Sequence, residues 1–187
     1  MKHLRFFISA LLLLCSTMAY SSVLIDGIYY DLGTSTATVV SGSTKYSGDV
    51  VIPEVVTYEG VDYRVTSIGS AAFYQCGGLK SVVIPNSVTT ISFGAFQACS
   101  NLESVTIGNG LLNSYNSAFK GCNNISEVHI NSLDNWFNIK FNDAQANPLY
   151  YARKMYLNGE LVTSIVIPDG ITEIKPYLFY NYQLKGE

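Results

Sequence analysis

The chain has 187 residues, of which 48% are hydrophobic and 13% are charged, and its formal net charge is −3. Its lysines and arginines are scattered along the sequence. We therefore expect no nucleic-acid partner, since nucleic acids bind to a concentrated positive surface. Beyond residue 19 no apolar stretch approaches the roughly 20 residues of a transmembrane helix, so we expect no membrane span.

Residues 1–19 have the pattern of an export signal. Two basic residues precede the apolar run Phe6–Leu14, and Ala19 supplies a small residue for cleavage. The run is short for a membrane span, and the order basic, apolar, small is typical of a secretory signal peptide. A buried helix of the folded domain is the alternative interpretation. We predict an exported protein, secreted or attached to the cell surface, whose mature chain begins at Tyr20.

A lipid anchor at Cys15 is not favoured, because Leu14 stands where a lipidation signal needs a small residue. Cleavage after residue 19 removes two basic residues and moves the formal net charge from −3 to −5. The mature chain of about 168 residues is long enough for one domain with a substantial core.

Residues 20–64 are predicted to form a β-rich N-terminal cap. Two apolar runs, 55–58 and 61–65, flank Glu59-Gly60, which is a turn signal between strands. A cap is expected on physical grounds, because the first coil of a stacked structure would otherwise expose its apolar edge.

A period of 23 residues organises the chain after the cap. Each repeat contains an alternating run of the form Leu/Ile-x-x-Val-x-Ile, an Ala-Phe pair and a cysteine. The residues that recur at this spacing are Phe73, Phe96 and Phe119, followed by Cys76, Cys99 and Cys122. The alternating run predicts a short strand, and the fixed period predicts one unit copied and stacked. We predict a solenoid over residues 65–187, with regular coils over 65–132.

The three repeat cysteines are predicted to form a buried column of small apolar side chains, because equivalent positions stack in a solenoid. Their odd number argues against a closed disulfide framework. Two alternatives stay open. Neighbouring coils lie close enough for a disulfide, and a metal site would need the thiols to converge on one point.

Two departures from the pattern carry expectations of their own. Ser114 stands where Ile68 and Ile91 stand in the earlier repeats, so we expect looser packing in the third coil. Over residues 133–160 the period breaks, and Asn158-Gly159 between two apolar runs is a strong hairpin signal. We predict an irregular coil closed by this hairpin.

A resumed but incomplete coil is predicted over residues 161–187. Residues 164–170 nearly repeat residues 81–87, and Phe179 occupies the repeat's phenylalanine position. The sequence then stops without the polar terminal unit that solenoids normally have. We expect this coil to self-associate or to fray.

These repeats resemble the BspA-like leucine-rich repeat family. The similarity is close over residues 65–132, returns over 161–179, and extends to 25–30 and 46–53 near the N-terminus. The resemblance implies a curved leucine-rich-repeat solenoid, rich in β-structure with short helical turns, on exported or surface-attached bacterial proteins. It also implies adhesion or host-protein binding, which is reported for some members of that family.

The sequence offers little for catalysis. His129 is the one histidine after residue 19 and lies at an outward strand position, whereas the cysteines face inward, so no nucleophile–base pair forms. Two acid pairs, Glu103 with Glu127 and Asp134 with Asp143, lack the pattern of a glycosidase. Nucleotide-binding loops, metalloprotease motifs and calcium-binding loops are also missing from the sequence. We predict no enzyme activity, no cofactor and no metal.

A binding surface has more support. The outward strand positions of the repeats form the candidate partner-binding face, and they are Ser81, Val83, Ser104, Thr106, Glu127, His129, Ser164 and Val166. A second candidate patch, rich in the residue types that interfaces favour, contains Tyr150, Tyr151, Arg153 and Tyr156. These four side chains have two interpretations: they bind a partner, or they fill the space that the broken period creates.

The leading hypothesis is an exported, non-catalytic protein of the binding or adhesion type that recognises a protein or glycan through the repeat face. A structural or assembly module that docks through its last coil is the alternative. A hydrolase centred on the irregular coil is a third possibility.

Overall fold

The computed structural model describes residues 22–182. The predicted signal peptide, Cys15 and the last five residues of the chain lie outside this range. The described elements are β1 (Val23–Ile25), β2 (Ile28–Leu32), β3 (Thr36–Val40), β4 (Ser47–Val51), β5 (Val55–Tyr58), β6 (Val61–Ile68), β7 (Gly78–Ile84), β8 (Thr90–Ile91), β9 (Ser104–Ile107), β10 (Asn113–Ser114), β11 (Glu127–Ile130), α1 (Leu133–Asn138), β12 (Lys140–Phe141), two 3-10 turns (Ala144–Ala146 and Pro148–Tyr150), β13 (Lys154–Leu157) and β14 (Glu160–Leu161). No helix among them is long and apolar enough to cross a membrane.

The strands form two sheets, and each coil from β6–β7 to β12–β13 contributes one strand to each of them. The larger sheet has the order β1-β2-β3-β6-β8-β10-β12, with β5 beside β6, and the smaller has the order β14-β13-β11-β9-β7-β4. Neighbouring repeat strands pair in parallel, as stacked copies of one unit must. The predicted β-rich solenoid is therefore confirmed.

The N-terminal segment is built into both sheets. The predicted hairpin is present: β5 and β6 pair antiparallel, and Glu59 (φ 51°) and Gly60 (φ 80°) take left-handed conformations at the turn. Strand β3 pairs in parallel with β6, and β4 pairs in parallel with β7. Residues 22–64 thus supply a neighbour for the first repeat strand of each sheet.

The period lengthens rather than breaks in the irregular coil. In the smaller sheet Ser81, Ser104 and Glu127 pair in succession at steps of 23, and Lys154 follows Glu127 at a step of 27. The larger sheet makes the same step of 27 from Asn113 to Lys140. Four extra residues therefore enter between β11 and β12, where α1 replaces a tight turn, and both registers continue beyond them.

Helix α1 accommodates these extra residues in a packed corner. The Ser132 hydroxyl caps the helix by accepting a hydrogen bond from the Asn135 N–H at 3.2 Å. Trp136 and Phe137 of the helix are buried, and the Trp136 ring lies 5.3 Å from that of Phe141. These two aromatic side chains lie in the coil in which Ala146 stands one step of 27 after Phe119.

A ladder of stacked aromatic rings runs through the centre of the coils. The Phe73 and Phe96 ring centroids are 4.8 Å apart, and those of Phe96 and Phe119 are 5.0 Å apart, with interplanar angles of 14° and 6°. Tyr46 of the N-terminal segment extends the ladder, with its ring 4.5 Å from that of Phe73. Burial raises the pKa of Tyr46 to about 12.

The repeat cysteines form the predicted buried column beside this ladder, and all three are free thiols. Two of the thiols bond to the main chain of the preceding coil: Cys99 Sγ donates to the Phe73 carbonyl at 2.9 Å, and Cys122 Sγ donates to the Phe96 carbonyl at 3.0 Å. The hydrogen bond with Cys122, together with burial, raises the pKa of Cys99 to about 12. The thiols are therefore spread along the axis as inert core groups rather than gathered on one point.

Ser114 differs from its expectation. It is fully buried, and its hydroxyl donates to the Ala146 carbonyl at 2.7 Å. The serine that replaces an isoleucine thus joins the third coil to the irregular coil instead of loosening it, because a bonded hydroxyl loses little by burial.

The second hairpin is confirmed, whereas the predicted strand after it is not formed. Asn158 (φ 51°) and Gly159 (φ 85°) form the turn between β13 and β14. Strand β14 then pairs antiparallel with the outer edge of β13. That edge is where a further parallel strand would bind. Residues 164–167 therefore lie outside the sheet, although they nearly repeat residues 81–84 of β7.

Candidate functional site

The outward side chains of the smaller sheet form two continuous rows, which we call the outward face. Strand alternation buries Val82, Val105, Val128 and Met155 and turns their neighbours outward. One row is Asp49, Ser81, Ser104, Glu127 and Lys154; the other is Val51, Val83, Thr106, His129 and Tyr156. Six of the eight predicted face residues lie in these rows.

The outward face is chemically uneven. Its middle carries small hydroxyl and aliphatic side chains, while one end carries a cluster of four larger groups. The His129 and Tyr156 rings stack at 4.7 Å with an interplanar angle of 9°. The Glu127 carboxylate lies 3.4 Å from His129 Nε2 and 3.6 Å from Lys154 Nζ. We call Glu127, His129, Lys154 and Tyr156 the charged end.

The polar contacts of the charged end stay accessible. The side chains of Glu127 and His129 keep about a third of their surface exposed, at 33% and 32%. Exposed pairs of this kind contribute about 0–1 kcal/mol to stability. Their groups can therefore exchange partners with a ligand at little cost. At the far end of the same row, the Ser81 hydroxyl donates to the Asp49 carboxylate at 2.7 Å.

Ser164 and Val166 were predicted on this face and are not part of it. The positions next to Glu127 and His129 are occupied by Lys154 and Tyr156. The physical reason is the hairpin, because β14 takes the edge of β13 that residues 164–167 would need.

Sequence reasoning also missed Asp49, Val51 and Lys154. Two signals could have found them. Residues 50–53 read Val-Val-Ile-Pro, as do residues 82–85 of the first repeat strand, which predicts that Asp49 aligns with Ser81. A step of 27 instead of 23 brings the apolar residues of β13 onto those of β11.

The predicted tyrosine patch divides into two parts. Tyr156 belongs to the charged end, whereas Tyr150 and Tyr151 contact each other with ring centroids 4.8 Å apart. The Tyr151 hydroxyl accepts the Gly121 N–H at 3.0 Å, and its burial raises the pKa of this phenol. Tyr151 therefore has a packing role. Arg153, the fourth residue of the predicted patch, is exposed.

Asp143 and Tyr151 together replace main-chain acceptors in the irregular coil. In the coil before it, the N–H groups of Gly94, Phe96 and Ala98 all donate to carbonyls of the next coil. One coil later the Ser117 N–H donates to the Asp143 carboxylate at 3.0 Å and the Gly121 N–H to Tyr151 Oη. Side chains thus satisfy donors that the changed backbone path would leave unpaired.

This arrangement assigns Asp143 a structural role. Both oxygens of its carboxylate accept the Ser117 N–H, while its predicted companion Asp134 is exposed on the first turn of α1. No group of three or more His, Cys, Asp or Glu side chains within residues 22–182 is placed to hold a metal ion.

The comparisons with known proteins agree with this architecture. The family model described as a BspA type leucine-rich repeat region matches residues 66–185 in six copies. A leucine-rich repeat protein from Bacteroides ovatus is 27% identical with a TM-score of 0.62, and the match covers 83% of this chain and 37% of that one. This chain thus spans little more than a third of that protein.

Two further solved structures are similar. A leucine-rich repeat protein from Bacteroides capillosus is 27% identical with a TM-score of 0.59, over 73% of this chain and 98% of that one. The leucine-rich repeat protein of T. pallidum is 19% identical with a TM-score of 0.53, over 72% and 71% of the two chains, and supports the fold alone. No curated protein matches the sequence. On the family match and the repeat geometry, the chain belongs to the BspA-type leucine-rich repeat family.

Proposed function

We propose that this protein is an exported, non-catalytic recognition module that binds a protein or glycan through its outward face. The observation that carries the proposal is the pair of in-register rows that cross five strands and finish in the charged end. Rows of this kind give a repeat protein an extended binding surface.

The two parts of the face suit different tasks. The small side chains of Ser81, Ser104 and Thr106 let a partner approach the sheet closely and offer hydroxyl groups for hydrogen bonds. The charged end adds an aromatic ring, a carboxylate and an ammonium group, which orient a ligand. Tyrosine is also among the residues enriched where interfaces bind most strongly.

Export and surface location are the second part of the proposal. They are supported by the basic, apolar and small pattern of residues 1–19. The non-catalytic role is supported by the match to a family of repeat proteins and by the lack of catalytic motifs in this sequence.

The test is an array of extracellular-matrix proteins and glycans probed with the protein and four variants. Thr106→Arg and Glu127→Lys alter the middle and the charged end of the face. Thr90→Arg and Glu173→Lys are the matched controls, since both of these side chains lie elsewhere on the surface. We expect a saturable interaction that the first two variants lose and the controls keep, at unchanged circular dichroism and melting temperature.

An interaction that survives both face variants would show that the outward face is not the binding surface. Loss in the control variants as well would point to a general effect of charge. Either result would remove the proposed site.

Assembly is the second candidate function, and exposed apolar side chains in the last described coil favour it. Val166, Ile167 and Ile174 are exposed, Val166 to 76%. Light scattering across a concentration series tests this candidate: assembly predicts a mass that rises with concentration and falls for Val166→Asp. A constant monomer mass would dismiss it.

A further inference from the structure

The outer edge of the larger sheet carries an open groove. Strands β8 and β10 are each paired on both sides, while β12 pairs with β10 on one side and with no described strand on the other. The open side of β12 faces residues 175–177 across a groove of about 590 Å³. Ligand pockets commonly have volumes of about 300–1,000 Å³.

The main chain of β12 faces this groove at one residue, Phe141. The N–H groups of Lys140 and Asn142 both donate to carbonyls on the β10 side. Because main-chain groups alternate between the two edges of a strand, the N–H and C=O of Phe141 point into the groove. Within the described residues no strand pairs with this side of β12, so the N–H and C=O of Phe141 are the groups that a further strand would bond.

Contacts at both ends of the groove join its two walls. At one end the Asn147 side-chain amide donates to the carbonyls of Tyr177 and Leu178, at 2.8 and 2.9 Å. At the other end Lys175 Nζ donates to the Asn138 carbonyl. The described part of the last coil is thus fixed beside the irregular coil, and within residues 22–182 no strand pairs with the groove side of β12.

The groove is positive, although the chain as a whole is negative. Among the described residues that line it, the charged ones are Lys140 and Lys175, with the amides of Asn116 and Asn142 beside them. The Lys175 ammonium keeps N–H donors beyond the one given to Asn138. Tyr177 and Pro176 supply apolar contact on the wall opposite Phe141.

We propose that this groove binds an extended acidic peptide segment, which adds to the larger sheet as a strand beside β12. The Phe141 main chain would form the ladder bonds, as in other cases of strand addition. The ammonium groups of Lys140 and Lys175 would pair with carboxylates of the peptide. This site lies on a different sheet from the outward face and is independent of it.

The probe is a fluorescein-labelled, terminally blocked Glu-Val-Glu-Val-Glu peptide, followed by fluorescence anisotropy with the full chain. We expect saturable binding that Lys140→Glu weakens by about tenfold or more, the scale of one reversed charge contact. Lys80→Glu, on an exposed lysine of β7, is the matched control and should leave the dissociation constant unchanged.

Two further arms separate strand addition from simple attraction of an anion. The same peptide with N-methylated valines should lose binding, and bound peptide should protect the Phe141 amide from hydrogen exchange. Equal binding of the N-methylated peptide would overturn strand addition. Undetectable binding of the unmodified peptide would overturn the proposal, as would binding that Thr106→Arg abolishes and Lys140→Glu leaves intact.

Discussion

Phe96 is the side chain whose truncation should disturb the stack of coils most. It is fully buried and lies between two parallel rings, Phe73 at 4.8 Å and Phe119 at 5.0 Å. Phe96→Ala removes both ring contacts at once and leaves a cavity in the middle of the ladder. We therefore expect a large loss in the free energy of unfolding.

The magnitude follows from burial and from the stiffness of the surroundings. Truncation of a buried phenylalanine costs about 3–5 kcal/mol, and the cost rises when the cavity cannot collapse. Here main-chain hydrogen bonds of 2.7 Å, from Phe73 N to Ala95 O and from Phe96 N to Ala118 O, hold the coils at a fixed spacing. Each aromatic pair adds about 0.5–1.5 kcal/mol to area burial. We expect a loss of about 4 kcal/mol, nearly a thousandfold in the folding equilibrium.

The assay is urea denaturation of the full chain followed by circular dichroism, with Phe93→Ala as the matched control. Phe93 lies three positions earlier in the same coil and is 58% exposed, so its truncation should change stability by less than about 1 kcal/mol. The slope of the unfolding free energy against urea concentration should be equal in both variants, so that the comparison concerns stability alone.

A cost below about 2 kcal/mol for Phe96→Ala, or one no larger than that of Phe93→Ala, would refute this reasoning. It would mean that the coils close over the cavity and that the ladder is not the rigid element described above.

Three other predictions concern single groups. Tyr151→Phe removes the acceptor of the Gly121 N–H and should cost about 1–3 kcal/mol in urea denaturation; unchanged stability would show that water replaces the hydroxyl. Cys99 and Tyr46 have pKa values raised to about 12 from 9.0 and 10.0. The folded chain keeps these protons where the unfolded chain releases them, so the melting temperature should fall as pH rises from about 9 toward 12, and a flat profile would contradict this. Gly159→Ala should cost about 1 kcal/mol because φ is 85°, although an added Cβ meets no atom within 4 Å; a stabilised variant would contradict that reason.

Features that repeat locally were predictable from the sequence. The alternation of Val82 and Ile84 with outward neighbours fixes which side of a strand is buried, and each later repeat restates it. The turns at Glu59-Gly60 and Asn158-Gly159 were predictable for the same reason, because a turn's conformation depends on its own residues.

Features that depend on distant neighbours were not predictable. Residues 164–167 have the composition of a strand, but the edge they need is already held by β14. The apolar pattern of a segment indicates its propensity to form a strand. Whether a sheet edge is available for that strand depends on the rest of the fold.

The roles of Asp143 and Tyr151 show a related limit. Each side chain accepts a main-chain N–H from a residue about one coil away, at Ser117 and Gly121. Nothing in the residues around them indicates that donors there have lost their carbonyl partners. The position of Tyr156 beside His129, and of Lys154 beside Glu127, was likewise not predicted, because both pairings depend on the lengthened step.

The corner at α1 has a consequence for protein engineering. The segment between Ile130 and Lys140 is four residues longer than the same segment of the preceding repeat. The strands on either side of it nevertheless keep their partners. Loop insertions are tolerated when both anchors stay paired and the entropy of closure grows slowly with length. This corner is therefore a natural graft point, at which a foreign segment can be displayed while the scaffold on both sides stays intact.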